Sequence, residues 1–180
     1  MLNKSHALAT AIALAVSGGA FAQVSAPAAK LSHQDSAFIK DAAAGGNAEI
    51  EGSKMALQQS ASADVKTFAQ TMVDDHTKAA GQLATLAGQK GVEIPDKPSL
   101  LKQGELKLLS KRKDTSFDKH YADSIGVKAH EDTVKLFQKE VDKGTDADVK
   151  AWASKTLPAL QHHLEAAQAL KTKTDAEPKT

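Results

Sequence analysis

Apolar side chains recur at three- and four-residue intervals over four long stretches, β-branched runs are absent, and alanine is abundant, a pattern that predicts helices and no strands. The first helix is expected from about Ser32 to Ser60, opened by a capping-box-like Ser32 and Asp35, with Gly45-Gly46 marking a kink or a close helix contact. The second starts at a Ser62 cap and ends at Gly91, with Pro95 beyond it as a stop. The third is expected from near Ser116 to Gly144. The fourth follows from a Thr145 cap, with Asp148 three residues on, to about Lys171, and Pro158 inside it should cost one backbone hydrogen bond and bend it.

Two of the connections are short, Ala61 and Gly144-Thr145, so each pair of helices forms an antiparallel hairpin. The link from Gly91 to Thr115 is long, and its amphipathic stretch Leu100 to Leu109 is expected to form a short extra helix. Hairpin, long crossover, hairpin is the order of an all-α, ferritin-like four-helix bundle, and an up-down bundle would not need so long a link.

The ends read differently. Met1 to Lys4 is charged, Ala7 to Val16 is apolar, and Ala20-Phe21-Ala22 offers a small-residue cleavage site, so residues 1–22 are expected to be a signal peptide. The apolar run is shorter than the roughly 20 residues a spanning helix needs, and no other window is apolar enough to cross a membrane. A periplasmic or secreted protein is the expectation, with residues 23–31 a flexible linker, 32–171 the helical domain and 172–180 a disordered polar tail.

Removing 22 of the 180 residues leaves 158, enough to bury a core. Lys4 is the leader's one basic residue, so the remainder carries 22 basic against 22 acidic side chains. That balance offers no electrostatic footprint for nucleic acid or anionic lipid. A protein partner and the oligomeric state stay open. With no cysteine in the chain, disulfides, thiolate chemistry and iron–sulfur clusters are excluded, and any metal must be held by His, Asp or Glu. Motifs of the GxSxG, P-loop and HExxH kinds are absent as well.

The candidate chemistry lies within the apolar stripes. Glu49 shares a face with Phe38, Ala42 and Ala56, whereas Glu51 should meet solvent. His76 falls on the stripe Val65, Ala69, Met72, Ala80, Leu83, Ala87, with Asp75 at its edge and Asp74 pointing out. His130 joins Val127, Val134, Phe137 and Val141, with Asp123 two turns earlier on the same side. His163 lies among Trp152, Thr156, Leu160, Ala167 and Leu170, with His162 at the flank. At about 1.5 Å of rise per residue, Glu49, His76, His130 and His163 fall within roughly 7 Å of the bundle midplane.

Buried ionisable groups must pair, hydrogen-bond or bind a metal. A His₃Glu set suits Zn²⁺, Fe²⁺, Cu²⁺ or Mn²⁺, with Asp75 or Asp123 as outer partners or alternative ligands. The same residues also fit a polar layer that braces the bundle and binds nothing. Trp152, Phe68, Phe117 and Tyr121 read as core, and Lys111-Arg112-Lys113 as a solvated loop.

Several of these stretches together resemble the bacterial family called domain of unknown function 4142, which is grouped with ferritin-like proteins. They are Phe38 with Ala43 to Glu49, Val65 to Ala69, Met72 to His76, Phe117 to Tyr121, Ala129-His130, and Thr156 to Pro158 followed by His163. The resemblance covers about residues 35–170 and implies an exported ferritin-like bundle of unassigned activity. Di-iron proteins of that superfamily carry Glu-x-x-His on two helices, but Val73 and Leu160 stand three residues before His76 and His163. Two readings follow: an exported bundle that holds one divalent transition metal, and a structural or stress-related envelope protein whose polar layer is internal bracing.

Overall fold

A computed structural model describes residues 30–178, and all regular structure among them is helical. The expected leader and residues 23–29 of the linker lie outside the described residues. Capping fixes the first elements as expected. Helix α1 (His33–Gln59) starts where Ser32 Oγ accepts from the Asp35 amide, and α2 (Ala63–Lys90) where Ser62 Oγ accepts from Val65. Gly91 closes α2 in the left-handed region at φ 65°, and Val92 N–H bonds back to the Ala87 carbonyl at 2.9 Å. The crossover holds α3 (Leu100–Leu109), capped by Ser99.

The third long rod is not uniform. It consists of α4 (Asp114–His120), a π-helical segment (Tyr121–Lys128) and α5 (Ala129–Lys143). The last helix, α6 (Ala147–Ala176), is capped by Asp146, which accepts from Asp148 and Val149, one residue later than the Thr145 cap expected. It also runs five residues past Lys171, so residues 172–176 are helical. Their anchors are Thr174, which is buried, and Lys173, which pairs with Asp64 at 2.9 Å. Pro158 is accommodated within α6 on its exposed side.

Contacts between ends fix the topology. Asp35, at the start of α1, meets Thr145 and Asp146 at the start of α6, and Lys90 at the end of α2 pairs with Asp146 and Asp148. At the opposite end, Ser53 and Tyr121 share a 2.9 Å hydrogen bond, and Lys119 reaches the carbonyl of Glu177. Helix α2 and the third rod therefore run parallel, with the crossover returning along the bundle, where Asn47 holds the Pro95 carbonyl at 3.1 Å. This is the ferritin-like arrangement.

The core is split in two. One apolar cluster gathers Phe68, Met72, Phe117, Tyr121, Ile125 and Leu170; the other gathers Phe38, Leu83, Leu86, Phe137, Leu157 and Leu160. Glu49, His76, His130 and His163 lie between them, all nearly inaccessible. The close helix contact expected at Gly45-Gly46 occurs instead at Gly52. A Cβ there would stand 3.0 Å from Ile125 of the π segment, whereas one at Gly46 would meet nothing.

A second buried polar cluster locks the end where α1, α5 and α6 meet. Asp35, fully buried, accepts from Ser32 Oγ, from Thr145 N and Oγ1, and from Asp146 N. Burial alone would raise its pKa, but these hydrogen bonds, chiefly from Thr145 and Ser32, hold it well below the carboxylate range. Glu140, 1% exposed, has the reverse fate. Burial, then the neighbouring Asp35, push it up to about 7, against a weaker lowering by Gln34.

Because the folded protein binds the Glu140 proton more tightly than the unfolded chain, this group's contribution is fully present below about 4.5 and is lost as pH rises through about 7. A Glu140→Gln variant, neutral at every pH, is therefore expected to match the parent near pH 5. At pH 8 its urea midpoint should be higher. Equal midpoints at pH 8 would place the proton elsewhere.

Candidate metal centre

Three helical rods each bring one imidazole to the midplane. His76 comes from the middle of α2, His163 from the middle of α6, and His130 from the second residue of α5. Their ring centroids are 5.4–5.6 Å apart, and one nitrogen of each lies within 4.8 Å of the other two.

The partner of each ring's second nitrogen decides which nitrogen is free. His130 Nδ1 lies 2.8 Å from the Gly126 carbonyl and 3.3 Å from that of Ile125. A carbonyl can only accept, so Nδ1 carries the proton and Nε2 the lone pair. These carbonyls are available because the π segment widens the turn: the Ala129 amide reaches five residues back, to Ser124. His76 Nδ1 lies 3.1 Å from Glu49 Oε2, and its Nε2 faces the His130 ring. His163 Nε2 donates to Asp75 Oδ2 at 2.9 Å, and its Nδ1 is buried with no partner.

His130 Nε2 turns its lone pair to His76 Nε2 at 3.3 Å, so a His76 ring protonated on Nε2 donates to it, whereas one protonated on Nδ1, toward Glu49, sets two lone pairs face to face. Burial, outweighing the attraction of Glu49 and reinforced by His130, holds His76 below its ordinary pKa, which favours a neutral ring. Burial also lowers His163, against the pull of Asp75. With the His76 proton on Nδ1, a metal cation between the rings would take both Nε2 lone pairs. At a metal–nitrogen distance of about 2.0–2.1 Å, tetrahedral geometry separates two ligand nitrogens by about 3.3–3.4 Å. The His76–His130 spacing matches such an ion, and His163 Nδ1, buried without a partner, belongs to a trio whose nitrogens lie within 4.8 Å of one another.

Glu49 is brought to the layer but stands behind His76, where Oε1 also accepts from Thr133 at 3.2 Å. Asp75 lies at the edge of the layer and accepts from His163 Nε2 at 2.9 Å. Asp123 does not join the layer. It is drawn to the surface by Lys128 at 2.7 Å and Lys171 at 3.7 Å. The physical reason is the π segment: an even 100° per residue places Asp123 beside His130, whereas the wider turn between them rotates it away. Sequence reasoning also missed Thr133 and the Gly126 carbonyl. Thr133 follows His130 by three residues, a spacing that marks it as a neighbour on one face.

Fold and layer together define an all-helical, ferritin-like bundle with a buried trio of histidines at its centre. The chain belongs to the family described as domain of unknown function (DUF4142), whose profile matches residues 20–170. Solved structures share the fold at low identity. A DUF305 fragment from Deinococcus radiodurans superposes with a TM-score of 0.70 at 12% identity, covering 79% of this chain and 98% of that one. A DUF305 protein from Streptomyces coelicolor gives 0.67 at 15%, covering 82% and 96%. A conserved hypothetical protein from Mycobacterium tuberculosis gives 0.62 at 18%, covering 82% and 94%. No curated protein matches the chain. No helix among the described residues is long and apolar enough to cross a membrane.

Proposed function

We propose that this is an exported bundle that holds one divalent transition-metal ion through His76 Nε2, His130 Nε2 and His163 Nδ1, with Glu49, the Gly126 carbonyl and Asp75 orienting the three rings. The observation that carries the reading is the convergence of three buried imidazoles, with His76 Nε2 and His130 Nε2 3.3 Å apart and His163 Nδ1 buried without a partner. An ion in the trio would also lie near the buried Glu49 carboxyl group, whose neighbours are the Thr133 hydroxyl and the His76 and His130 rings. Three neutral imidazoles without thiolate favour Zn²⁺ or Cu²⁺ over Fe²⁺ and Mn²⁺, and they leave a position for water or a further ligand. Export rests on the leader-like residues 1–22. It agrees with the Streptomyces coelicolor fold relative, which is provisionally described as secreted.

The test is titration of tag-free, chelator-stripped protein with Zn²⁺ and Cu²⁺, followed by calorimetry and thermal melting. One equivalent is expected to bind. At an ion concentration a hundred times Kd, the folded state gains about 2.7 kcal/mol, which raises Tm. A protein that takes up no ion and melts unchanged would sink the reading and leave the layer as bracing, with His76 and His130 hydrogen-bonded to each other.

A further inference from the structure

The crossover helix α3 turns its leucines in two opposite directions. Leu106 and Leu109 are buried in the core cluster of Phe68, Phe117 and Tyr121, whereas Leu100, Leu101 and Leu108 are 86%, 73% and 64% exposed. Among the described residues these three are the exposed large hydrophobics. At about 100° per residue they share one side of the helix, with Gly104 between them, and a Cβ on Gly104 would meet nothing within 4 Å. Single surface leucines are commonplace, but three on one open face form a patch that marks an interaction site.

The same stretch concentrates positive charge. Residues 97–113 hold six basic side chains, Lys97, Lys102, Lys107, Lys111, Arg112 and Lys113, against one acidic side chain, Glu105, which Lys102 pairs at 2.9 Å. Lys97, Lys107, Lys111 and Lys113 are exposed. Residues 23–180 carry equal numbers of basic and acidic side chains, so everything outside this stretch is net negative. The overall balance, which argues against a polybasic surface when the chain is counted as a whole, conceals a local excess.

We propose that the outer face of α3 docks on the surface of an anionic phospholipid bilayer, with Leu100, Leu101 and Leu108 in the acyl boundary and the surrounding lysines among the phosphates. The cations stand before the helix, on its last turn and after it, so they ring the leucines and do not converge on one point. A plane of phosphates with hydrocarbon beneath it meets both features. Ten residues are half of what a spanning helix needs, so α3 lies along the interface. A second copy fits the face poorly. Two copies would bring two positive stretches together, and three leucines fall short of the roughly 800 Å² per partner of a standard interface. The face shares no residue with the histidine layer, so it is independent of the metal.

Protein from Gln23 onward, which keeps both core clusters whole, is sedimented with vesicles of phosphatidylcholine alone and of phosphatidylcholine mixed with phosphatidylglycerol. Partition onto the anionic vesicles is expected to exceed that onto the neutral ones by about tenfold or more, and to fall as salt rises. Leu101→Gln with Leu108→Gln, and separately Lys111→Gln with Lys113→Gln, are each expected to lower it by about tenfold. All four side chains are exposed, so the melting temperature should not move. Gly104→Leu fills open space on the same face and is expected to tighten binding severalfold. Equal partition onto both vesicles, or anionic binding indifferent to the leucines, would overturn the proposal. So would a dimer that Leu101→Gln dissolves, which would assign the face to a second copy, or soluble polyglutamate binding as tightly as the vesicles, which would assign it to an acidic protein.

Discussion

His130→Ala is expected to weaken Zn²⁺ or Cu²⁺ binding by more than ~100-fold, because it removes the ring that both faces His76 and is fixed by the Gly126 carbonyl. Calorimetric titration of the folded variant measures this directly. Truncating a fully buried ring beside Phe68 also costs stability without any ion, so a gentler companion is needed. Asp75→Asn keeps the volume, removes the charge behind His163 and is expected to weaken binding by about 10–100-fold. His162→Ala changes a neighbouring exposed imidazole and is expected to leave affinity unaltered. If His162→Ala and His130→Ala weakened binding equally, the ion would sit at the surface and not in the buried trio.

Asp35→Ala should be the most destabilising single change outside the histidine layer, by about 3–5 kcal/mol. The carboxylate holds the first turn of α1 through Ser32 and the entry to α6 through both backbone amides of Thr145 and Asp146, at 2.9 and 3.2 Å. Its loss leaves those donors buried and opens the junction of three helices. Urea unfolding is expected to show a lower midpoint with an unchanged slope, the signature of lost stability without a change in surface exposed. Because the Asp35 pKa is depressed in the folded state, its contribution is present above the ordinary carboxylate pKa and is lost only as pH falls below about 3.8. The parent and Asp35→Ala should therefore converge in acid. A midpoint shift of under about 0.5 kcal/mol at pH 7 would mean that water replaces the carboxylate at no cost.

The bundle was legible because its punctuation is local. Ser32, Ser62 and Gly91 act through hydrogen bonds to residues within four or five positions, and the 3.6-residue period placed His76, His130 and His163 inward without tertiary information. What escaped was non-local or broke the period. The π segment has no signature in hydrophobic spacing, and it alone displaces Asp123 while freeing the carbonyls that orient His130. Asp35 reads as part of a cap for its own helix, and that role is real. Its partners 110 residues away belong to the fold and cannot be seen in the local pattern. The polar stretch after Lys171 looks unstructured, yet it is held by Asp64 from another helix. Glu49 was placed at the right depth, but side-chain direction decides whether it touches an ion or a ring, and periodicity does not carry that information.

The three histidines sit on three rods, with His76 and His130 alone 54 positions apart in the chain. In an extended chain they are unrelated imidazoles, each able to hold an ion only weakly and in competition with water. The trio exists only once both hairpins have docked, since His76 lies on one and His130 and His163 on the other. A chain threaded through a translocation channel would thus carry no cargo across. Its choice of ion would be made from what is dissolved on the far side, so the composition of that compartment would select the metal as much as the geometry of the rings.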